Sequence, residues 1–155
     1  MNEMCNDKEF RKTLESLDPA QQREVAVMFV EHVLDLCDDK RLDRVLKVAA
    51  DAEATEEELA AALKTAHAVT FDSHARCGAE GHWSEQAGYF VARAAVAAAT
   101  SIAQTRPGGP AWQAAMSARM AFTTRLIDDE TNHRSAHTEC LWQYQALSDY
   151  LNVQQ

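Results

Sequence analysis

Residues 18–36, with the sequence DPAQQREVAVMFVEHVLDL, decide the fold class of this chain. Asp18 is a good helix cap, Pro19 suits the first helical turn, and Gln21 completes a capping box three residues after the cap. Side chains on one face of this segment then recur at helical spacing. They are Val25, Met28, Phe29, His32, Val33 and Leu36. The segment is therefore predicted to be an amphipathic helix.

Helix signals continue on both sides of this segment, and no stretch alternates as a β-strand does. We predict a short helix over 8–17, and a third helix after a charged connector at 38–40, with Leu42, Val45, Leu46 and Ala49 on its apolar face. A helix from Thr55 to about His74, an irregular stretch over 76–83, and a helix from there to about Thr105 follow. Residues 106–110 break the chain, and Pro110 favours a new helix start. Residues 111–151 form one long helix or two.

The predicted fold class is all-α, a single-domain bundle of six or seven mostly antiparallel helices. The domain covers residues 1–155, with 1–7 as a flexible tail. Small side chains are expected to let the fifth and sixth helices approach closely, namely Ala87, Ala94, Ala98, Ala111, Ala115 and Ala118. The final helix is expected to bury a stripe formed by His137, Leu141, Tyr144, Ser148 and Leu151.

Acidic residues dominate the chain, which has 24 acids, 15 bases and a net charge of −9. Residues 1–60 carry 16 acids and 8 bases, whereas residues 61–127 carry 3 acids and 6 bases. This charge repels nucleic acid and anionic lipid, so we expect neither as a direct ligand, and it favours a basic protein partner or plain solubility. Scattered cysteines and the absence of a signal peptide or an apolar span favour the cytoplasm.

Two groups of residues are candidates for a metal site, with zinc as the candidate cofactor. In the first, His74 near the end of a predicted helix is followed by Cys77 and His82 in the predicted irregular stretch, where a flexible loop could wrap a tetrahedral ion. Their spacing matches no standard zinc motif, and a solvated loop is the more common explanation of such a stretch.

The second candidate is Glu130-x-x-His133-x-x-x-His137, which places three ligand types on one helix face. Glu-x-x-His is also half of the motif of di-iron carboxylate bundles. The chain has no second copy of that motif, so a di-iron centre is excluded and a mononuclear site is left. A polar patch on the helix is the more common interpretation.

Other side chains have a structural explanation beside a functional one. His32 lies on the apolar face of its helix and is expected to be a hydrogen-bonded core residue. Trp83, Trp112 and Trp142 are expected to pack in the core, but an exposed tryptophan is a natural centre for a protein interface.

Two further segments carry a resemblance, namely residues 54–62, ATEEELAAA, and residues 139–143, ECLWQ, followed by Leu147, Tyr150 and Leu151. Together with the alanine-rich helices, they resemble patterns in uncharacterised all-helical bacterial proteins, some of which are described as immunity proteins. The resemblance implies a single helical domain that neutralises a partner, and it implies no particular functional residues.

The leading hypothesis is a non-enzymatic protein without catalytic residues that binds and inhibits a basic protein partner. Immunity proteins, antitoxins and anti-defence inhibitors are of this kind, and acidic mimicry of nucleic acid is one way to act. The alternative is a metal-binding or small-molecule-binding helical protein that uses the candidate residues above. Assembly into a homo-oligomer is a third hypothesis.

Overall fold

The computed structural model describes the backbone of residues 6–80, 83–128 and 136–154, and the side chains of residues 6–76, 86–124 and 137–154. In these ranges the chain forms seven α-helices and no β-strand. The helices are α1 (Asp7–Glu15), α2 (Pro19–Val33), α3 (Arg41–Ala50), α4 (Glu56–Glu80), α5 (Trp83–Ala99), α6 (Gly109–Asp128) and α7 (Ala136–Gln154). The predicted all-α, single-domain bundle is confirmed.

The helix starts follow the capping signals of the sequence. The Asp18 carboxylate accepts a hydrogen bond from the Gln21 backbone N–H, and the Gln21 side chain accepts one from the Asp18 N–H. Asn6 caps α1 in a similar way by accepting from the Glu9 N–H. Asn6 and Asp7, which the sequence places in a flexible tail over 1–7, belong to α1 and its cap, and residues 1–5 of that prediction lie outside the described residues.

The centre of the bundle is formed by α2, α5 and α6, with the most extensive contact between α5 and α6. The six alanines predicted to allow this approach are all buried. Phe10 of α1 inserts fully buried among aromatic rings, with its centroid 5.8 Å from Phe29, 6.1 Å from Trp112 and 5.1 Å from Tyr144. Side chains of four helices thus meet at one point of the core.

The predicted irregular stretch over 76–83 begins too early, since α4 continues past His74 through Glu80. One glycine inside a helix costs about 1 kcal/mol, and the long preceding helix propagates through Gly78 at this modest cost. His74 and Cys77 therefore lie on a helix rather than in a flexible loop. His82 lies outside the described residues.

The helix predicted to reach Thr105 ends at Ala99. The hydroxyl of Thr100 donates to the Val96 carbonyl at 2.6 Å, and residues 101–104 are exposed, so no apolar face continues the helix. Gly108 and Gly109 then adopt positive φ values of 100° and 88°, which turn the chain into α6.

The last segment of the chain contains two separate helices, because α6 and α7 lie side by side. The Gln143 amide of α7 donates to the Ala115 carbonyl of α6 at 3.0 Å. Of the stripe predicted for α7, Tyr144 is buried, Ser148 and Leu151 are half-buried, and His137 and Leu141 are exposed, so the buried stripe is shifted from the predicted one. The buried stripe contains Glu139, Gln143, Tyr144, Ala146, Leu147 and Tyr150.

Two further observations concern cysteines and membranes. Cys37 and Cys140 are free thiols, as predicted for these positions. Within the described ranges, no helix combines the length and the apolar character that are needed to cross a bilayer.

Candidate functional site

The candidate metal ligands are only partly described. His74 is exposed on α4, with its ring centroid 5.5 Å from that of Tyr89. Cys77 lies on α4, but its side chain is outside the described set, as are His82, Glu130 and His133. His137 is exposed near the start of α7. Within the described side chains, no three His, Cys, Asp or Glu residues are placed to share a metal ion.

The three tryptophans occupy different environments. Trp83 begins α5, and its side chain is outside the described set. Trp112 is half-buried against Phe10, under the guanidinium of Arg11 at 5.4 Å. Trp142 is half-buried as well, but it also lines a surface groove. Of the tryptophans whose side chains are described, Trp142 is the better candidate for an interface.

This groove lies between α2 and α7, has a volume of about 420 Å³, and is called the α2–α7 groove below. The residues that line it are Glu24, Met28, Trp142, Gln145, Ala146, Asp149, Tyr150, Val153 and Gln154. It has apolar walls and two carboxylates. No basic side chain lines it among the residues that the structure describes.

Trp142 is held in the groove wall by His32 of α2. The two rings are stacked, with centroids 3.5 Å apart and planes 3° from parallel. Nδ1 of His32 lies 2.8 Å from Oε2 of Glu139, one helical turn before Trp142. One hydrogen bond therefore joins the imidazole of α2 to the carboxyl group of α7. His32 is thus hydrogen-bonded, as the sequence predicts, and it fixes α7 on α2.

A second polar cluster holds α7 from its other side. Arg119 of α6 donates to both carboxylate oxygens of Asp7 at 3.0 Å and to Oε1 of Gln143 at 2.8 Å. The Tyr144 hydroxyl donates to Asp7 at 2.6 Å. The Arg119 guanidinium lowers the pKa of Asp7 below its ordinary value. With both sides of α7 fixed in this way, the groove is a preformed surface.

The carboxylates of the groove differ in their partners. The Tyr150 hydroxyl donates to Glu24 at 2.8 Å, and burial together with this carboxylate raises the pKa of Tyr150 to about 12. Asp149 accepts a hydrogen bond from Gln145 at 2.8 Å within α7. Both carboxylates keep free lone pairs for further donors, because one hydrogen bond does not saturate a carboxylate.

One apolar side chain of the groove is strongly exposed, since Val153 is 82% exposed. Leu141, which is 52% exposed, precedes Trp142 on α7 without lining the groove. Of the two free thiols described, Cys37 is a poor nucleophile, because burial raises its pKa and keeps it protonated.

Comparisons with protein-family models, with curated proteins and with solved structures give no match for this chain. Sequence reasoning named Trp142 by residue type, but it missed Glu24, Asp149, Tyr150 and Val153. Their only signal in the sequence is that acidic and apolar residues share the exposed flank of two helices. Pairing those two helices requires the tertiary structure.

Proposed function

We propose that this protein binds a basic segment of a partner protein in the α2–α7 groove and inhibits the partner by holding that segment. The observation that supports the proposal is the combination of the exposed Val153 and the half-buried Met28 and Trp142 with two carboxylates in one preformed groove. A lysine-rich or arginine-rich segment with one apolar anchor complements both features.

The apolar walls supply the affinity in this proposal. Trp142 is rigid because His32 covers one of its faces, so it loses little side-chain entropy when a partner packs on its remaining surface. Met28 adds an adaptable apolar surface on α2. Rigid aromatic side chains at the centre of an interface commonly carry most of the binding energy.

Charge supplies orientation and speed of association. Glu24 and Asp149 line the groove, and Glu31 continues the stripe of Glu24 and Met28 along α2. The net charge of −9 attracts a basic partner over a long range and accelerates encounter at low ionic strength. A basic segment that is held in the groove cannot bind its usual anionic ligand, and the partner protein is inhibited for that reason. Immunity proteins and antitoxins would need to act on their partners in such a way.

The test is selection of peptides from a random display library against the full chain. We expect selected peptides to combine lysine or arginine with an apolar anchor, and to lose at least about tenfold in affinity with Val153→Lys or Asp149→Lys. The matched controls are Phe71→Lys, which replaces another exposed apolar residue on α4, and Glu53→Lys, which reverses another exposed carboxylate. Both controls should bind as the wild type does.

Two outcomes would overturn the proposal. One is that selected peptides bind the groove variants and the controls equally well. The other is that light scattering shows a dimer that Val153→Lys converts to a monomer, since the groove would then be a surface for self-association. Circular dichroism of each variant confirms that the helices are intact.

A further inference from the structure

A separate pocket of about 350 Å³ lies between α4, α5 and α6, beside the connector that joins α5 to α6. It shares no lining residue with the α2–α7 groove. Arg93 of α5 and Arg106 of the connector both line it, together with His67 of α4. Although the chain has 24 acids, no carboxylate lines this pocket among the described residues.

The two arginines are not ion-paired with carboxylates among the described side chains, in contrast to three other arginines. Arg11, Arg41 and Arg119 each form an ion pair with a carboxylate. Among the described side chains, neither Arg93 nor Arg106 has a carboxylate within 4.0 Å, and the Arg93 guanidinium lies 5.8 Å from the centroid of the Tyr89 ring. Two unpaired guanidinium groups in one concave site of an acidic protein favour a bound anion.

Neutral side chains complete a polar lining with both donors and acceptors. Gln104, Thr105 and Ser117 add an amide and two hydroxyl groups. The hydroxyls of Thr70 and Thr100 donate to carbonyls of their own helices. Their hydrogens are therefore already used, and the two oxygens can only accept hydrogen bonds from a ligand.

One hydrogen bond steadies the connector that carries Arg106. The Gln113 amide of α6 donates to the Pro107 carbonyl at 2.7 Å, so the residue next to Arg106 is tied to the helix that forms one wall. The Arg106 backbone carbonyl also accepts from the Gly109 N–H. The second arginine is thus presented by a fixed turn.

We infer that this pocket binds a small phosphate monoester that carries hydroxyl groups, such as a phosphorylated sugar or a nucleoside monophosphate. A phosphate monoester carries close to two negative charges, and the two guanidinium groups supply two positive charges to balance them. The acceptor oxygens of Thr70 and Thr100 suit the hydroxyls of the ligand body, and Leu63 and Val96 provide an apolar floor. A volume of 350 Å³ lies in the lower range of small-molecule pockets.

Isothermal titration of the full-length protein with ribose 5-phosphate and with adenosine monophosphate tests this inference, with ribose, adenosine and succinate as comparison ligands. We expect saturable binding of at least one phosphorylated compound and none of its unphosphorylated form. Arg93→Gln and Arg106→Gln should each weaken binding at least about tenfold, since each removes a charged hydrogen-bond donor. Arg44→Gln, an exposed arginine of α3, is the matched control and should bind normally.

A second measurement uses the wild-type protein and therefore does not depend on how stable the variants are. It follows the Nε–H NMR signal of each arginine during the titration. The signals of Arg93 and Arg106 should shift on titration, whereas that of Arg44 should not. The inference fails if no phosphorylated compound saturates the protein by about 10 mM, if Arg106→Gln binds as the wild type does, or if succinate binds as tightly as the phosphates. Arg106 is exposed in a connector, so its replacement leaves the helical core intact.

Discussion

The imidazole of His32 and the indole of Trp142 lie face to face, with ring centroids 3.5 Å apart and planes 3° from parallel. They belong to α2 and α7, and the same imidazole meets the buried Glu139 carboxylate at 2.8 Å. One side chain therefore fixes both the spacing and the rotation of α7 on α2. The wall of the α2–α7 groove depends on this contact, because Trp142 lines it.

Replacing His32 by alanine should lower the free energy of unfolding by about 2 kcal/mol. The substitution removes a stacked ring and takes one hydrogen bond from a carboxylate whose side chain is only 1% exposed. Urea denaturation followed by circular dichroism measures the loss. His137→Ala is the control, because this exposed histidine of α7 should change stability by less than about 0.5 kcal/mol. Equal stability of the two variants would contradict the bracing role of His32.

The pair of Asp7 and Arg119 predicts a dependence of stability on acid. Arg119 lowers the pKa of Asp7 below its ordinary value of 3.8. The resulting stabilisation is fully present above pH 3.8, and it is lost as the pH falls through the lowered pKa of the folded protein. Asp7→Asn should cost about 1 kcal/mol at pH 7, a modest amount because water screens a half-exposed pair. The two proteins should become equally stable in acid.

The control for this titration is Asp43→Asn, an exposed carboxylate of α3. At pH 7 its free energy of unfolding should stay within about 0.5 kcal/mol of that of the wild type. If the difference in unfolding free energy between Asp7→Asn and the wild type stayed constant from pH 7 to pH 2, the negative charge of Asp7 would not contribute to stability.

Tyr150 predicts the opposite behaviour in base. Burial and the neighbouring Glu24 raise its pKa to about 12, so the neutral phenol is favoured in the folded protein. This stabilisation is present below the ordinary tyrosine value of 10 and is lost as the pH rises through about 12. Absorbance titration should show a phenol component near 12 that Tyr150→Phe removes. Glu24→Gln should lower this pKa only in part, because burial is the larger cause.

Much of the fold follows from local signals in the sequence. The capping box of Asp18 and Gln21, and the break before α6, depend on backbone geometry that nearby residues determine. The end of α4 is harder to predict from the sequence. Gly78 lowers helix stability only slightly, and the long helix before it is stable enough to continue through it.

The candidate site depends on contacts that no local pattern reveals. His32 and Glu139 are 107 residues apart in the sequence. The buried face of α7 carries Glu139 and Gln143, whose partners lie on other helices, so a rule that buries apolar residues finds Tyr144 but not these two polar residues. Polar burial of this kind becomes visible only when the partners are placed in space.

Two glycines should respond to alanine in opposite directions. Gly108 has a φ of 100°, and an added Cβ would collide with the Trp112 ring, so Gly108→Ala should lower stability by about 1–3 kcal/mol. Gly88 lies inside α5, where an added Cβ meets its nearest neighbour, the Leu36 carbonyl oxygen, at an ordinary 3.6 Å. Gly88→Ala should raise stability by about 0.5–1 kcal/mol, because alanine is the better helix former. Thermal unfolding of the pair measures both effects, and a stabilising Gly108→Ala would show that the turn into α6 does not require a left-handed residue.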